Sequence, residues 1–354
     1  MSERQHDDTD QLIADFLGTD QEPAPGNHRS GYVAVVGKPN VGKSTLVNAL
    51  VGHKVAIISP KPQTTRRRIL GILTRPDAQV LFLDTPGVHE PQQALHRYMM
   101  REVDAALRDC DAVLFVTDVS RLPGDEDRRV AERIARLSQP RLLAMNKADL
   151  LDPRDVVEHV AAHEALIAQA SRTDTGATGS APRAPGAESR EAVEPVSSIF
   201  NAQLSILTSG TRGDNLDKLL SMLLATLPHG PRYFPPGQTT DQNERLLAAE
   251  FVREQALRFL EQEVPHGIAV TIEDWQPRPN GTIYIAATVY VERESQKGIL
   301  IGKGGDMLKK IGANARREIE RELGARVYLE LWAKVRRDWR RDDAMVARFL
   351  EGNA

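Results

Sequence analysis

The chain of 354 residues has one cysteine, Cys110, few aromatics (5%) and no apolar run long enough to span a membrane. A lone thiol excludes an internal disulfide and fits a reducing compartment. Asp109 and Asp111 flank it and oppose a thiolate, so Cys110 reads as a packing residue. Without an apolar stretch of ~20 residues there is no helical membrane anchor, and no signal-peptide pattern opens the chain. Net charge is also small, −3 at pH 7, so any affinity for nucleic acid depends on where the charges sit. What is present is the composition of a soluble protein, 41% hydrophobic and 27% charged, with length for two ordinary domains.

Residues 1–30 are polar and acidic and read as a disordered tail. From Gly31 apolar strands alternate with amphipathic helices, with strands expected at 33–36, 69–74, 80–83, 112–117, 141–145 and 204–207. This pattern predicts an α/β unit over 31–227, a mostly parallel sheet with helices on both faces. Residues 168–196 shift to Ala, Ser, Thr, Gly, Pro and Arg and read as a low-complexity insertion. Pro228, Gly230, Pro231, Pro235, Pro236 and Gly237 mark a linker over 228–241. A second, α+β unit follows over 242–354. It reads as a helix over 242–264, strands near 268–275 and 282–292 about an Asn280-Gly281 turn, helices over 297–301 and 306–323, and a strand over 326–333.

Three motifs follow three of the strands. Gly37-Lys38-Pro39-Asn40-Val41-Gly42-Lys43-Ser44, with Thr45 opening the next helix, is a phosphate loop between a strand and a helix. Its backbone N–H groups and the helix N-terminus suit a triphosphate; Lys43 would reach the β- and γ-phosphates and Ser44 would hold Mg²⁺. Asp84-Thr85-Pro86-Gly87 ends another strand, with Asp84 placed to hold Mg²⁺ through water and the Gly87 N–H to meet the γ-phosphate. Asn146-Lys147-Ala148-Asp149 follows a third. The Asp149 carboxylate would accept both N1–H and N2–H₂ of guanine, a donor pair that adenine lacks, while the Lys147 stem covers the base. GTP is thus expected over ATP. Val88 stands where a water-orienting Gln would be, so intrinsic hydrolysis is expected to be slow and to rest on Mg²⁺, Lys43 and charge stabilisation.

In the second unit Gly302-Lys303-Gly304-Gly305 sits between two helices and suits a clamp on a single-strand backbone. The segment from Lys297 to Arg341 holds thirteen Lys or Arg against six Asp or Glu. Lys303, Lys309, Lys310 and the run Lys334, Arg336, Arg337 are the expected phosphate contacts.

Together these residues resemble the translation-factor-like GTPases. With Gln63-Thr64-Thr65-Arg66 and the α-β-β-α-α-β unit, which resembles a type II KH domain, the resemblance narrows to the bacterial Era family. It covers about 31–354 apart from the insertion. It implies that Thr65 is the switch I threonine, closing on Mg²⁺ and γ-phosphate in the GTP state. Lys43, Asn40, Thr65 and Gly87 then carry catalysis, and by likeness to related GTPases Asn40 would hold K⁺. Ser209-Gly210-Thr211 departs from the family's Ser-Ala-Leu, but the Gly210 N–H is expected to read guanine O6 still. The resemblance further implies binding near the 3′ end of 16S ribosomal RNA and assistance in 30S subunit maturation. A monomer in the cytoplasm is expected, with peripheral contact at the inner membrane. Two rival readings are a membrane-associated module with incidental hydrolysis, testable with liposomes, and a tRNA-modifying GTPase, for which no separate catalytic domain is visible.

Overall fold

A computed structural model describes residues 28–90, 93–170 and 204–351. The expected N-terminal tail and almost all of the 168–196 insertion lie outside the described residues. The first unit is a six-stranded sheet in the order β2-β3-β1-β4-β5-β6: β1 (Arg29–Val36), β2 (Ile69–Thr74), β3 (Ala78–Asp84), β4 (Ala112–Asp118), β5 (Arg141–Asn146) and β6 (Ser205–Leu207). Every pairing is parallel except edge strand β2, which runs antiparallel to β3. All six expected strands are present, each within a few residues of its predicted limits.

The strands read as continuous apolar runs because both faces are covered. Ala34, Val36, Val113 and Phe115 join one core with α2 (Ala94–Asp109), α3 (Asp125–Ala135) and Leu166 of α4 (Val156–Ala170). Val33, Val35, Ala112 and Leu114 join another with α1 (Lys43–Val51) and α5 (Leu216–Thr226). Cys110 lies in the first core, and burial pushes its thiol up to about 11. Its role is packing.

The second unit begins with α6 (Glu244–Phe259), capped by Asn243, whose side chain accepts from the Leu246 N–H. Then come β7 (Ala269–Pro277), β8 (Thr282–Val291), α7 (Glu294–Ile301), α8 (Asp306–Leu323) and β9 (Arg326–Val335). β8 pairs antiparallel with β7 and parallel with β9, so β9 is an edge. The inward residues Ile285, Ala287, Val289 and Val291 of β8 and Val327 of β9 share a core with α6 and α8.

The sequence marks the Pro/Gly segment as the join, but neither its partners nor the helix that closes it was legible there. The Pro/Gly segment is pinned along the first sheet: the Gln79 carboxamide bonds Tyr233 and Phe234, Ile72 N–H donates to Thr239 O, and Thr240 Oγ1 donates to Leu70 O. A further helix, α9 (Asp343–Glu351), with Trp339 before it, packs on α2 in the core of the first unit. Trp339 is fully buried and donates from Nε1 to Gly267 O at 2.9 Å. Among the described residues no helix is long and apolar enough to cross a membrane.

Truncating that side chain removes a large packed volume and leaves a carbonyl without its donor. Trp339→Ala is expected to destabilise the protein by about 3–5 kcal/mol in denaturant unfolding. A loss under 1 kcal/mol would mean that the C-terminal segment adds little to the join.

Candidate functional site

β1 delivers the chain to Gly37, and α1 begins at Lys43. Between them Asn40 and Gly42 take positive φ, 64° and 93°, which turns successive N–H groups inward. Lys43 is buried and curls back to donate from Nζ to Gly37 O and Lys38 O, both at 3.1 Å. Burial lowers its ammonium to about 8, against the opposing pull of Asp84. A cation held by carbonyls in a dry loop is placed to receive an anion.

Ser44, Thr65 and Asp84 meet on one side of this loop. Ser44 Oγ donates to Asp84 Oδ2 at 2.5 Å and lies 2.9 Å from Thr65 Oγ1. Asp84 is fully buried, and burial raises its carboxyl to about 6, despite hydrogen bonds from Ser44 and Thr65 and the charge on Lys43. Its Oδ1 has no hydrogen-bond partner. A buried, half-unsatisfied carboxylate beside two hydroxyls is a hard oxygen set that fits Mg²⁺. Ser44 and Thr65 would hold the ion, with Asp84 behind them. Mg²⁺ held there would supply charge neutralisation for the nucleotide's phosphates.

Gly87 closes the phosphate end. A Cβ there would stand 2.7 Å from the Pro39 nitrogen, so only glycine brings this N–H against the loop. Val88 N–H donates to Gly37 O, and its side chain is buried away from the site. The resulting pocket of about 60 Å³ is lined by Asn40, Lys43, Ser44, Thr65 and Gly87, and also by Ile57 to Ser59.

At the base end Asn146 ties three loops together. Its Nδ2 donates to Val41 O, and its Oδ1 accepts the Gly210 N–H, both at 2.9 Å. The Gly210 N–H, expected at guanine O6, is therefore engaged by Asn146. A Cβ at Gly210 would lie 3.2 Å from the Leu46 backbone, a tight approach. Lys147 takes φ 64° and its Nζ meets Asp118 Oδ2 at 2.6 Å, which stretches the stem across the base position. Asp118 was not singled out in the sequence, although it ends β4 as Asp84 ends β3. Asp149 makes no side-chain hydrogen bond or ion pair among the described residues, leaving its carboxylate free to accept. Ser209 is buried and its Oγ accepts from Arg212 N–H, bracing the loop.

The stretch between Ile57 and Arg68 is held by the second unit. Glu254 of α6 accepts from Ile58 N–H at 2.9 Å and from Lys54 Nζ at 2.7 Å. Arg253, one residue earlier, donates to Thr64 O at 2.5 Å and pairs with Glu250. The Arg66 guanidinium is buried and donates to Ile268 O and His266 O, over the Trp339 ring. Ile57 itself sits in the core of the second unit. The hydroxyl of Thr65 is thus positioned from both sides by residues of another domain.

In the second unit Gly302, Gly304 and Gly305 have φ of 73°, 62° and 85°, which carries the chain from α7 into α8 in a turn few side chains tolerate. A groove of about 480 Å³ runs between α8 and edge strand β9, lined by Gly305, Lys309, Gly312, Arg316, Tyr328 and Leu331. Lys303 is exposed in the turn itself. Gly312 lets the helix approach β9, its missing Cβ lying 3.2 Å from Leu331. Gly312, Arg316 and Tyr328 were missed in the sequence. A glycine in mid-helix was the available signal. Four of the expected phosphate contacts lie outside this groove. Lys310 turns to the other side of α8, with Nζ 4.2 Å from the Phe259 ring centroid. Lys334 lies on β9 beyond the groove, and Arg336 and Arg337 follow the strand's end, where Arg336 N–H bonds Val291 O.

The fold and the site define a P-loop GTPase joined to a KH domain. A family model described as 50S ribosome-binding GTPase matches residues 32–147, and one described as KH domain matches 263–340. GTPase Era of Heliobacterium modesticaldum is 41% identical over 312 residues, 88% of this chain and 93% of that protein. The crystal structure of Era in complex with MgGDPNP and nucleotides 1506–1542 of 16S ribosomal RNA superposes with TM-score 0.77 at 38% identity, covering 91% of this chain and 98% of that one. A variant of Aquifex aeolicus Era bound to GDP·AlF₄⁻ gives the same score, identity and coverage. The chain belongs to the Era family of GTPases.

Two predictions follow from the geometry. Because Asp84 binds its proton more tightly folded than unfolded, metal-free stability falls as pH rises from about 4 to about 6. Asp84→Asn is therefore expected to add about 3 kcal/mol to metal-free stability at pH 7, to flatten that pH dependence, and to abolish GTP turnover. A variant less stable than wild type at pH 7 would contradict this. Arg253→Ala removes a charged donor worth about 1.5–3 kcal/mol; turnover should drop about tenfold or more while GDP affinity holds, measured by single-turnover kinetics and nucleotide titration.

Proposed function

We propose that the protein is a GTP-driven switch that binds the 3′ region of 16S ribosomal RNA and assists maturation of the 30S subunit. The observation that carries this reading is the grip of α6 on the segment 57–68, which joins a nucleotide pocket to a single-strand clamp. Loss of the γ-phosphate frees Thr65, and the release passes through Thr64 and Arg66 into α6 and the strand that follows it. Gln242, the first residue after the linker, adds a second connection, since it accepts from Arg67 at 2.5 Å and donates to Val55 O at 2.8 Å. The Era structure with MgGDPNP and nucleotides 1506–1542 supports the choice of RNA and of Mg²⁺.

GTP would lie along Gly37 to Thr45, with Thr85, Pro86 and Gly87 at the γ-phosphate and Asn146, Lys147 and Asp149 at the base. Thr85 Oγ1 donates to Val35 O at 2.7 Å and so fixes the turn that presents Gly87. K⁺ is proposed as a second cation. Asn40 donates from Nδ2 to Pro60 O at 3.2 Å, which leaves its oxygen for a monovalent ion. RNA would follow the Gly302–Gly305 turn, Lys303 and Lys309 into the groove along β9. We further propose a cytoplasmic monomer with peripheral contact at the inner membrane.

The test is GTP turnover with an RNA matching the 3′ end of 16S ribosomal RNA and with a scrambled RNA. Stimulation by the matched RNA alone is expected, together with tighter RNA binding in a GTP analogue than in GDP. Equal RNA affinity in both nucleotides would refute the switch. Turnover should also be higher in K⁺ than in Na⁺, and equal rates would remove K⁺ from the account.

A further inference from the structure

The sheet of the second unit has one face against α6 and α8 and the other uncovered along much of its length. On that outer face Tyr328 and Trp332 of β9 are each 55% exposed, unusual for large aromatics. They lie four residues apart on one strand, so about 13 Å along it. Tyr284 of β8 is the register partner of Tyr328, and the two rings stack with centroids 5.9 Å apart and planes at 20°. Tyr284 Oη donates to Glu330 at 2.6 Å, which fixes the ring. Arg278 reaches over from the β7–β8 turn with its guanidinium 4.9 Å and 5.4 Å from the two ring centroids. The turn holds it there through Arg278 N–H to Thr282 O and Gly281 N–H to Arg278 O. Lys334 follows Trp332 on the same face.

Exposed aromatic planes interleaved with guanidinium and ammonium groups on an open sheet match the chemistry of stacked nucleobases. The position favours RNA over a protein partner. Tyr328 and Arg316 line both the groove beside α8 and a second, basic depression of about 750 Å³ bordered by Arg321 and Arg326. The clamp surface therefore runs without a break around the edge of β9 onto the aromatic face. A turn-and-groove clamp holds four nucleotides, whereas the Era structure above contains nucleotides 1506–1542.

Resting on the RNA-binding reading, we infer that this face, built from Arg278, Tyr284, Tyr328 and Trp332, is a second single-strand RNA site that stacks bases leaving the clamp. The occupant is unpaired RNA; a duplex offers no free base faces.

The experiment uses the full chain and two RNAs: a dodecamer matching the 3′ end of 16S ribosomal RNA and a tetramer cut from it. Arg278 and Trp332 line neither groove nor nucleotide pocket, and both are exposed, so Arg278→Ala/Trp332→Ala should fold. The double variant is expected to lose about tenfold or more in dodecamer affinity, from stacking of about 1–3 kcal/mol per base, and to bind the tetramer like wild type. Trp332→Phe should retain dodecamer affinity. Unchanged dodecamer affinity in the double variant would overturn the site and return the face to protein docking. Equal losses on both RNAs would overturn it too, as a structural effect. If wild type bound neither RNA, the RNA-binding reading itself would fall with it.

Discussion

The buried Arg66 guanidinium is the contact on which the two-domain arrangement turns. It leaves the nucleotide-binding unit one residue after Thr65 and satisfies two carbonyls of the other unit, at Ile268 and His266. A charge taken out of water this far persists only with such partners. Burial pulls it down to about 9, so it is still charged at neutral pH. The carbonyls and the Trp339 ring are arranged around that charge. With Arg66 fixed there, Thr65 on its N-terminal side has little freedom except toward Ser44 and Asp84.

The nucleotide end has the opposite character, because it stores unfavourable electrostatics. Asp84 is ionised only against burial, and Lys43 is a desolvated cation whose partners are carbonyls and Asp84. Each is relieved by what the site is shaped to take, a divalent ion in one case and phosphate oxygens in the other. The protein keeps these costs local by surrounding the loop with two apolar cores, one on each face of the sheet. The same rigidity lets a small change at Thr65 register in α6 and not dissipate in the loop.

Much of this was legible in the sequence, and the rest was not for identifiable reasons. Strands buried on both faces give unbroken apolar runs, so β1 to β6 and the motifs at their ends could be read directly. Gly37 to Ser44, Asp84 to Gly87 and Asn146 to Asp149 depend on local backbone chemistry, which spacing reveals. The interdomain grip depends on long-range partners: α6 is buried nearly all round rather than amphipathic, and nothing in the sequence announces that its buried Arg253 and Glu254 reach Thr64 and Ile58. The same holds for α9, whose apolar face reads as an ordinary tail until α2 is placed beneath it. That Lys310, Lys334, Arg336 and Arg337 lie outside the groove was not legible, because charge density along the chain says nothing of which side of a helix or strand it faces. Lys310 is one helical step from Lys309 and ends on Phe259.

The central claim is that the RNA-binding domain holds the switch segment of the GTPase domain. Hydrogen exchange of residues 57–68 in the GTP-analogue state, with and without matched RNA, tests it most directly. RNA that contacts only the second domain is predicted to change protection across Ile58 to Arg66, through Glu254, Arg253 and the carbonyls that hold Arg66. RNA that protected the Gly302–Gly305 turn and the groove but left 57–68 unchanged would contradict it.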